Sequence, residues 1–324
     1  MEFGLSEEQQ ELAATVAALL DKRADSAAVR QAMAGEPGYD EALWQTMCEQ
    51  IGVAALAIPE EYDGFGASMF ETAVVLEEEA RALLPSPLLA TSIATATLLL
   101  HGTEDQRSDL LPGIAAGTVA TAVLEPPLVL EPAAEIVLLP RGENVEIGVD
   151  RPEPRSPLDP TLRLGHLATE ADPSQPLLDV ATALVTAVQL GCARRGLDMT
   201  VAYSQERMQF GRPIGSFQAL KHRMADLLVL LEMTRSASWA ATGAAASYLR
   251  EPTAERAATL HERATVAKAW CSDALDKIAG ETVQLHGGIA ITWEHDAHLV
   301  LKRAHALGRM LGQAHEHRAR LLDD

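Results

Sequence analysis

Arg207-Met-Gln-Phe-Gly-Arg-Pro-Ile-Gly-Ser-Phe-Gln218 interrupts two long helical patterns. On either side, Asp179 to Gln209 and Ser216 to Arg250 carry apolar side chains at three- and four-residue spacing, which reads as helix. Inside the interruption stand the guanidinium of Arg207, the amides of Gln209 and Gln218, and the apolar side chains of Phe210, Ile214 and Phe217. Gly211 and Pro213 are expected to end the helix. Taken singly, Arg207 reads as a surface charge and Phe210 as core. At this spacing they read together as an anion site, because arginine presents a fixed fork of donors to phosphate oxygens. A second stretch, Gln284-Leu-His-Gly-Gly-Ile-Ala-Ile-Thr-Trp-Glu294, follows the next helical run. There Gly287 and Gly288 let a backbone approach phosphate or ribose, while Gln284 offers an amide and Leu285 an apolar side chain. Alone, the two glycines would read as a helix C-cap.

Helical runs from Thr253 to Val283 and from about Asp296 to Leu322 join the two already described, predicting an up-down four-helix bundle over residues 178–324. Toward the N-terminus, three capping boxes mark helix starts: Ser6 with Gln9, Ser68 with Glu71, and Thr103 with Gln106. Residues 1–118 therefore read as an α-helical domain, with a loop at Ile58 to Gly66. Between them, residues 119–177 are proline-rich, with β-type runs from Glu135 and from Asn144. This stretch is shorter than the ~100 residues of a typical independent domain, so it is expected to lean on its neighbours. The fold class is mainly α with a small β insert.

Composition narrows the function. The chain of 324 residues is 48% hydrophobic and only 4% aromatic, which favours helices. Its net charge of −20, from 46 acidic against 26 basic residues, argues against a nucleic-acid partner, which requires a basic footprint. Residues Met1 to Gln10 show no basic or apolar leader pattern, and polar residues interrupt the longer apolar runs. A cytoplasmic protein with no membrane partner is expected. Cys48, Cys192 and Cys271 form no paired motif and read as buried thiols. His305, His315 and His317 follow no metal-ligand spacing and read as a solvated helix face, so no metal is expected.

The order of helices, β unit and helical bundle, together with both motifs, resembles the acyl-CoA dehydrogenase family over nearly the whole chain. Trp44, Ile51-Gly52 and Pro59 to Gly66 look like its Gly-rich signature, with Asp63 in place of a usual glycine. Glu77-Glu78-Glu79 and Leu110 to Gly117 also stand in family order. The resemblance implies FAD as cofactor. It assigns Arg207 to the flavin pyrophosphate, with Gln209, Phe210, Ile214, Phe217 and Gln218 toward the adenosine end. Gln284, Leu285, Gly287 and Gly288 form the second cofactor element, with Ala290 where a third glycine is common. In the family's dimers both elements reach the neighbouring subunit's flavin.

The flavin-ring half looks lost. Leu124-Glu125-Pro126 retains only the Glu-Pro core of one ring-side segment, and no tryptophan occurs from residue 45 to 238 to supply the other. The family's catalytic glutamate falls on Leu311 or, in some members, on Ala181, and neither side chain can accept a proton. Glu294 reads as a helix-start carboxylate. The expected protein is thus the shortened, base-lacking subunit of an α2β2 heterotetramer, similar to those of actinobacteria. A catalytic acyl-CoA dehydrogenase partner would supply the glutamate, an acyl-CoA, by family analogy a steroid side-chain ester, would be the substrate, and an electron-transfer acceptor would take the electrons. Two alternatives stand beside it: a self-sufficient homomer with Asp179 or Glu294 as relocated base, and a helical assembly module without flavin.

Overall fold

A computed structural model describes residues 4–323; the reading of Met1 to Phe3 lies outside them. The N-terminal unit contains helices α1 (Glu7–Arg23), α2 (Ser26–Ala34), α3 (Glu41–Gln50), α4 (Met69–Arg81), α5 (Leu88–His101) and α6 (Glu104–Ala115). All three expected capping boxes form, each with the hydroxyl and the amide or carboxylate satisfying one another's backbone donors. In the Ile58 to Gly66 loop, Asp63 takes a left-handed φ of 62°. Aspartate is among the few residues that tolerate that conformation.

The middle unit holds β1 (Ala120–Ala122), β2 (Leu128–Leu130), β3 (Ile136–Gly142), β4 (Asn144–Ile147), β5 (Glu153–Arg155), β6 (Leu164–His166) and β7 (Asp172–Pro173). β3 pairs parallel with β1 and β7 and antiparallel with β4, while β2, β6 and β5 form a separate antiparallel sheet. This unit is pinned to the helices by a buried charge pair. Arg303 reaches Asp159 at 3.3 Å, the Thr161 hydroxyl at 2.9 Å and the Leu84 carbonyl at 3.2 Å. Removing one partner of such a pair leaves an uncompensated buried charge.

The C-terminal unit is built on α7 (Gln175–Glu206), α8 (Gln218–Arg250), α9 (Ala254–His286) and α10 (Ala297–Arg309), with α11 (Ala314–Asp323) against α9; a short hairpin of β8 (Met208–Gln209) and β9 (Arg212–Pro213) joins α7 to α8. α7 is long and apolar enough to cross a membrane, but 89% of its most apolar window is buried in the protein, so it is a core helix. Gly191 lets α4 cross it closely, since a Cβ there would lie 2.0 Å from the Glu77 carbonyl oxygen. The single helix expected from Asp296 to Leu322 is instead two. Leu311 and Gly312 take left-handed φ values of 57° and 96°, which no helix accommodates. The three cysteines are buried, and burial pushes each thiol up to about 12.

Three consecutive carboxylates on α4 are also buried. Glu77 accepts from the Trp239 indole at 3.3 Å, and Glu78 accepts from Arg81 and Arg194, each at 2.6 Å. Glu79 is less well served: one of its oxygens has no partner, and burial pushes its carboxyl up to about 8.

Candidate functional site

The two sequence motifs meet at one end of the bundle. α7 stops at Glu206, one residue before Arg207 and well before Gly211, because the chain turns into the β8–β9 hairpin. Phe210 and Gly211 form its tip with φ values of 52° and 78°, and the Ile214 amide closes it by donating to the Arg207 carbonyl at 2.8 Å. Beyond the hairpin Gly215 packs so tightly on α7 that a Cβ would come within 2.8 Å of the Ser204 hydroxyl.

Of the side chains expected to bind a cofactor, Arg207, Gln209, Phe210, Gln218 and Gln284 are exposed. Phe210 is 90% exposed. The guanidinium of Arg207 has no hydrogen-bond or ion-pair partner among the described residues, and neither has the Gln284 amide. Gln209 bonds only its neighbour's carbonyl, and Gln218 contacts His222 at 3.4 Å. Phe217 is half-buried, edge-on to Phe210 at 6.1 Å and covered by the Arg212 guanidinium at 4.1 Å. Ile214 and Leu285 are likewise half-buried.

The second element starts where α9 ends. Gly287 is its C-cap, with φ 65° and its amide on the Val283 carbonyl, so the plain capping role holds for that glycine. Gly288 has no such duty: a Cβ there would meet nothing within 4 Å. Two aromatic residues absent from the expected set lock the elements together. Tyr203, one turn before Arg207, stacks on His286 at 4.5 Å, and His295 lies 4.6 Å from His286. The His286 Nδ1 bonds the Thr282 carbonyl at 2.7 Å, and burial holds its imidazole below the usual histidine range. Tyr203 and His286 flank the motifs in sequence, but nothing local announces that their rings touch.

The two positions expected for the family base lie elsewhere, and both are apolar. Ala181 is fully buried in α7. Leu311 lines a cavity between α5, the strands β1 and β2, and the end of α10. Its turn is held on every side. Its amide donates to the Glu125 carboxylate at 2.9 Å, its carbonyl accepts from His317 at 2.8 Å, and the Gly312 carbonyl accepts from Lys268 at 3.0 Å. Lys268, completely buried, also caps α10 through the Leu307 carbonyl at 3.1 Å, and burial lowers its ammonium to about 8. His317 is therefore no solvated residue. Packing of α11 buries it, and burial lowers its imidazole to about 4; His305 and His315 do remain exposed.

The two substitute carboxylates stand away from that cavity. Asp179 is held by Gln175 at 2.8 Å and His261 at 2.9 Å. Glu294 is exposed and precedes α10 without entering its first turn, contrary to the helix-start expectation, because the chain makes a further turn before Ala297. Among the described residues, Glu125 is the one carboxylate that lines the cavity. The Arg207 and Gln284 side chains at the helix ends are exposed donors, and the Glu125 carboxylate in the cavity accepts a backbone amide.

Comparison with known proteins identifies both helical units. Residues 6–118 match the N-terminal domain and residues 174–321 the C-terminal domain of acyl-CoA dehydrogenase. The chain is 43% identical to acyl-CoA dehydrogenase IpdE2 of Mycolicibacterium smegmatis, covering 98% of each, and 44% identical to IpdE2 of Mycobacterium tuberculosis, covering 96% of this chain and 95% of the relative. Among solved structures it resembles a chain of a Tcur3481–Tcur3483 steroid ACAD variant, with TM-score 0.86, 27% identity and coverage of 98% and 97%. The ChsE4–ChsE5 complex from Mycobacterium tuberculosis, at 23% identity and TM-score 0.81 over 100% of this chain and 98% of that one, shares the fold.

Proposed function

The chain belongs to the acyl-CoA dehydrogenase family, and on that premise we propose that it is the non-catalytic subunit of a heteromeric, FAD-dependent enzyme. Arg207, Phe210, Gln218, Gln284 and Gly288 hold the adenosine-diphosphate end of a flavin seated in a partner subunit, with Gln209, Ile214, Phe217, Leu285 and Gly287 shaping that surface. The observation that carries this reading is the contrast between the two sites. The Arg207 guanidinium and the Gln284 amide at the helix ends are exposed and unpartnered among the described residues, whereas both expected base positions are occupied by Leu311 and Ala181.

The donor set fits such a ligand. An unpaired guanidinium meets a diphosphate through charge-assisted bonds, the open space over Gly288 admits close approach, and the exposed ring of Phe210 offers a face for a base. When bound, FAD supplies the hydride acceptor. The partner subunit supplies the glutamate that takes the α-proton of an acyl-CoA, leaving a 2,3-enoyl-CoA. The steroid ACAD among the similar structures favours a bulky alicyclic acyl group, and the two-protein complexes favour an acyl-CoA dehydrogenase partner in an α2β2 assembly. Asp179 and Glu294 do not line the cavity and do not support a self-sufficient enzyme.

Co-expression with a full-length homologous subunit tests the reading. Bound flavin and acyl-CoA-dependent bleaching are expected only in the complex, and Arg207→Ala is expected to reduce flavin retention about 10- to 100-fold, the equivalent of a charge-assisted contact. A yellow, active preparation of this chain alone overturns it.

A further inference from the structure

Asp296 follows the second cofactor element and ties it to two other helices. Its carboxylate accepts from the Ser26 hydroxyl at 2.7 Å and the Arg30 guanidinium at 2.8 Å, both on α2, and from the Arg195 guanidinium of α7 at 3.2 Å. Arg30 also donates to the Ser26 hydroxyl at 3.3 Å, so the two α2 residues hold each other in place. Burial raises the Asp296 carboxyl, but the Ser26 hydroxyl and the two guanidinium groups outweigh it and keep the group below the usual aspartate range. Aspartate is a strong N-cap residue, yet Asp296 stands at the start of α10 with no capping bond, its side chain turned to α2 and α7 instead.

The segment between this clasp and the end of α9 has little else to hold it. Of residues 287–294 only Ala290 is buried, and the Thr292 and His295 amides bond back to the Ile289 and Thr292 carbonyls within the segment. Trp293 leans on His298 and Lys302 of α10, the helix that begins at the clasp. At the other end the anchor is the packing of His286 on Tyr203 and His295. Segments with few buried apolar contacts open at low free energy, so their order depends on their anchors.

Given the flavin role proposed for Gly288, on which this step rests, we infer that Ser26, Arg30 and Arg195 are positioning residues that act through Asp296 to hold the flavin-directed segment. The N-terminal unit thereby sets the place of a cofactor element to which it contributes no residue.

Amide hydrogen exchange of the full chain alone, and flavin affinity of the co-expressed complex, test the proposal on Arg30→Met, Arg30→Lys and Ser26→Ala. Arg30→Met is expected to speed exchange in residues 287–296 while the middles of α7 and α9 exchange as in the parent, and to weaken flavin binding about 3- to 30-fold. Arg30→Lys, which keeps the charge, should restore most of both, and Ser26→Ala should move both in the same direction by less. Parent-like exchange in residues 287–296, faster exchange throughout the bundle, or unchanged flavin affinity in Arg30→Met overturns it. Ser26 is exposed, so its variant keeps the test decisive if Arg30→Met fails to fold. A parent complex that retains no flavin refutes the subunit reading instead, and the exchange result still decides whether the clasp orders the segment.

Discussion

Tyr203 lies against His286 with ring centroids 4.5 Å apart and planes inclined by 28°. This contact joins the end of α7, which leads into Arg207, to the end of α9, which carries Gln284 and Gly288. Aromatic pairs contribute roughly 0.5–1.5 kcal/mol beyond area burial, so this contact helps to hold together two motifs that are far apart in sequence. Tyr203→Ala is expected to lower flavin retention in the complex and to destabilise the chain by about 2–3 kcal/mol, given a half-buried ring. Tyr203→Phe, which keeps the ring, should change neither in flavin-content and thermal-unfolding measurements.

Gly288 and Gly287 separate ligand approach from chain geometry. Gly288→Ala should leave the unfolding midpoint unchanged, because its Cβ meets nothing within 4 Å, yet reduce bound flavin in the complex. Gly287→Ala should lower stability by about 1–3 kcal/mol, because φ 65° with ψ −146° is a backbone conformation essentially restricted to glycine. Undiminished flavin in Gly288→Ala would remove that glycine from the proposed contact.

At Gly191 the added methyl would have to displace backbone 2.0 Å away and the Ala80 Cβ 2.7 Å away. Gly191→Ala is expected to destabilise by at least about 1–3 kcal/mol through overpacking of α4 on α7. On α8, Gly243 has open space around its Cβ position, so Gly243→Ala should be neutral or stabilise by up to about 1 kcal/mol. Denaturant titration lowers the midpoint of Gly191→Ala but not of Gly243→Ala if the helix crossing is as described.

Glu79 makes stability depend on pH. Its carboxyl, raised by burial from 4.5 to about 8, holds a proton more tightly in the folded chain than in the unfolded one. The stability it contributes is fully present below pH 4.5 and lost as pH rises through about 8. Glu79→Gln, which mimics the protonated form, should therefore gain in midpoint relative to the parent between pH 5 and pH 8. A constant difference across that range would show that Glu79 stays ionised in the fold.

The sequence by itself determined the local features. Ser6, Ser68 and Thr103 cap their helices because a capping box needs only residues three apart, and the spacing of apolar side chains marked α7, α8 and α9. The order of the motifs was enough to recognise the family. That residues 181 and 311 are apolar was legible as well, since residue identity needs no geometry. Only the tertiary structure broke the last helix at Leu311, buried His317 and Lys268 around that turn, paired Tyr203 with His286 and opened the cavity beside Arg309. Each of these depends on groups supplied by distant segments, and whether a charge is buried or a void remains is decided by how those segments pack.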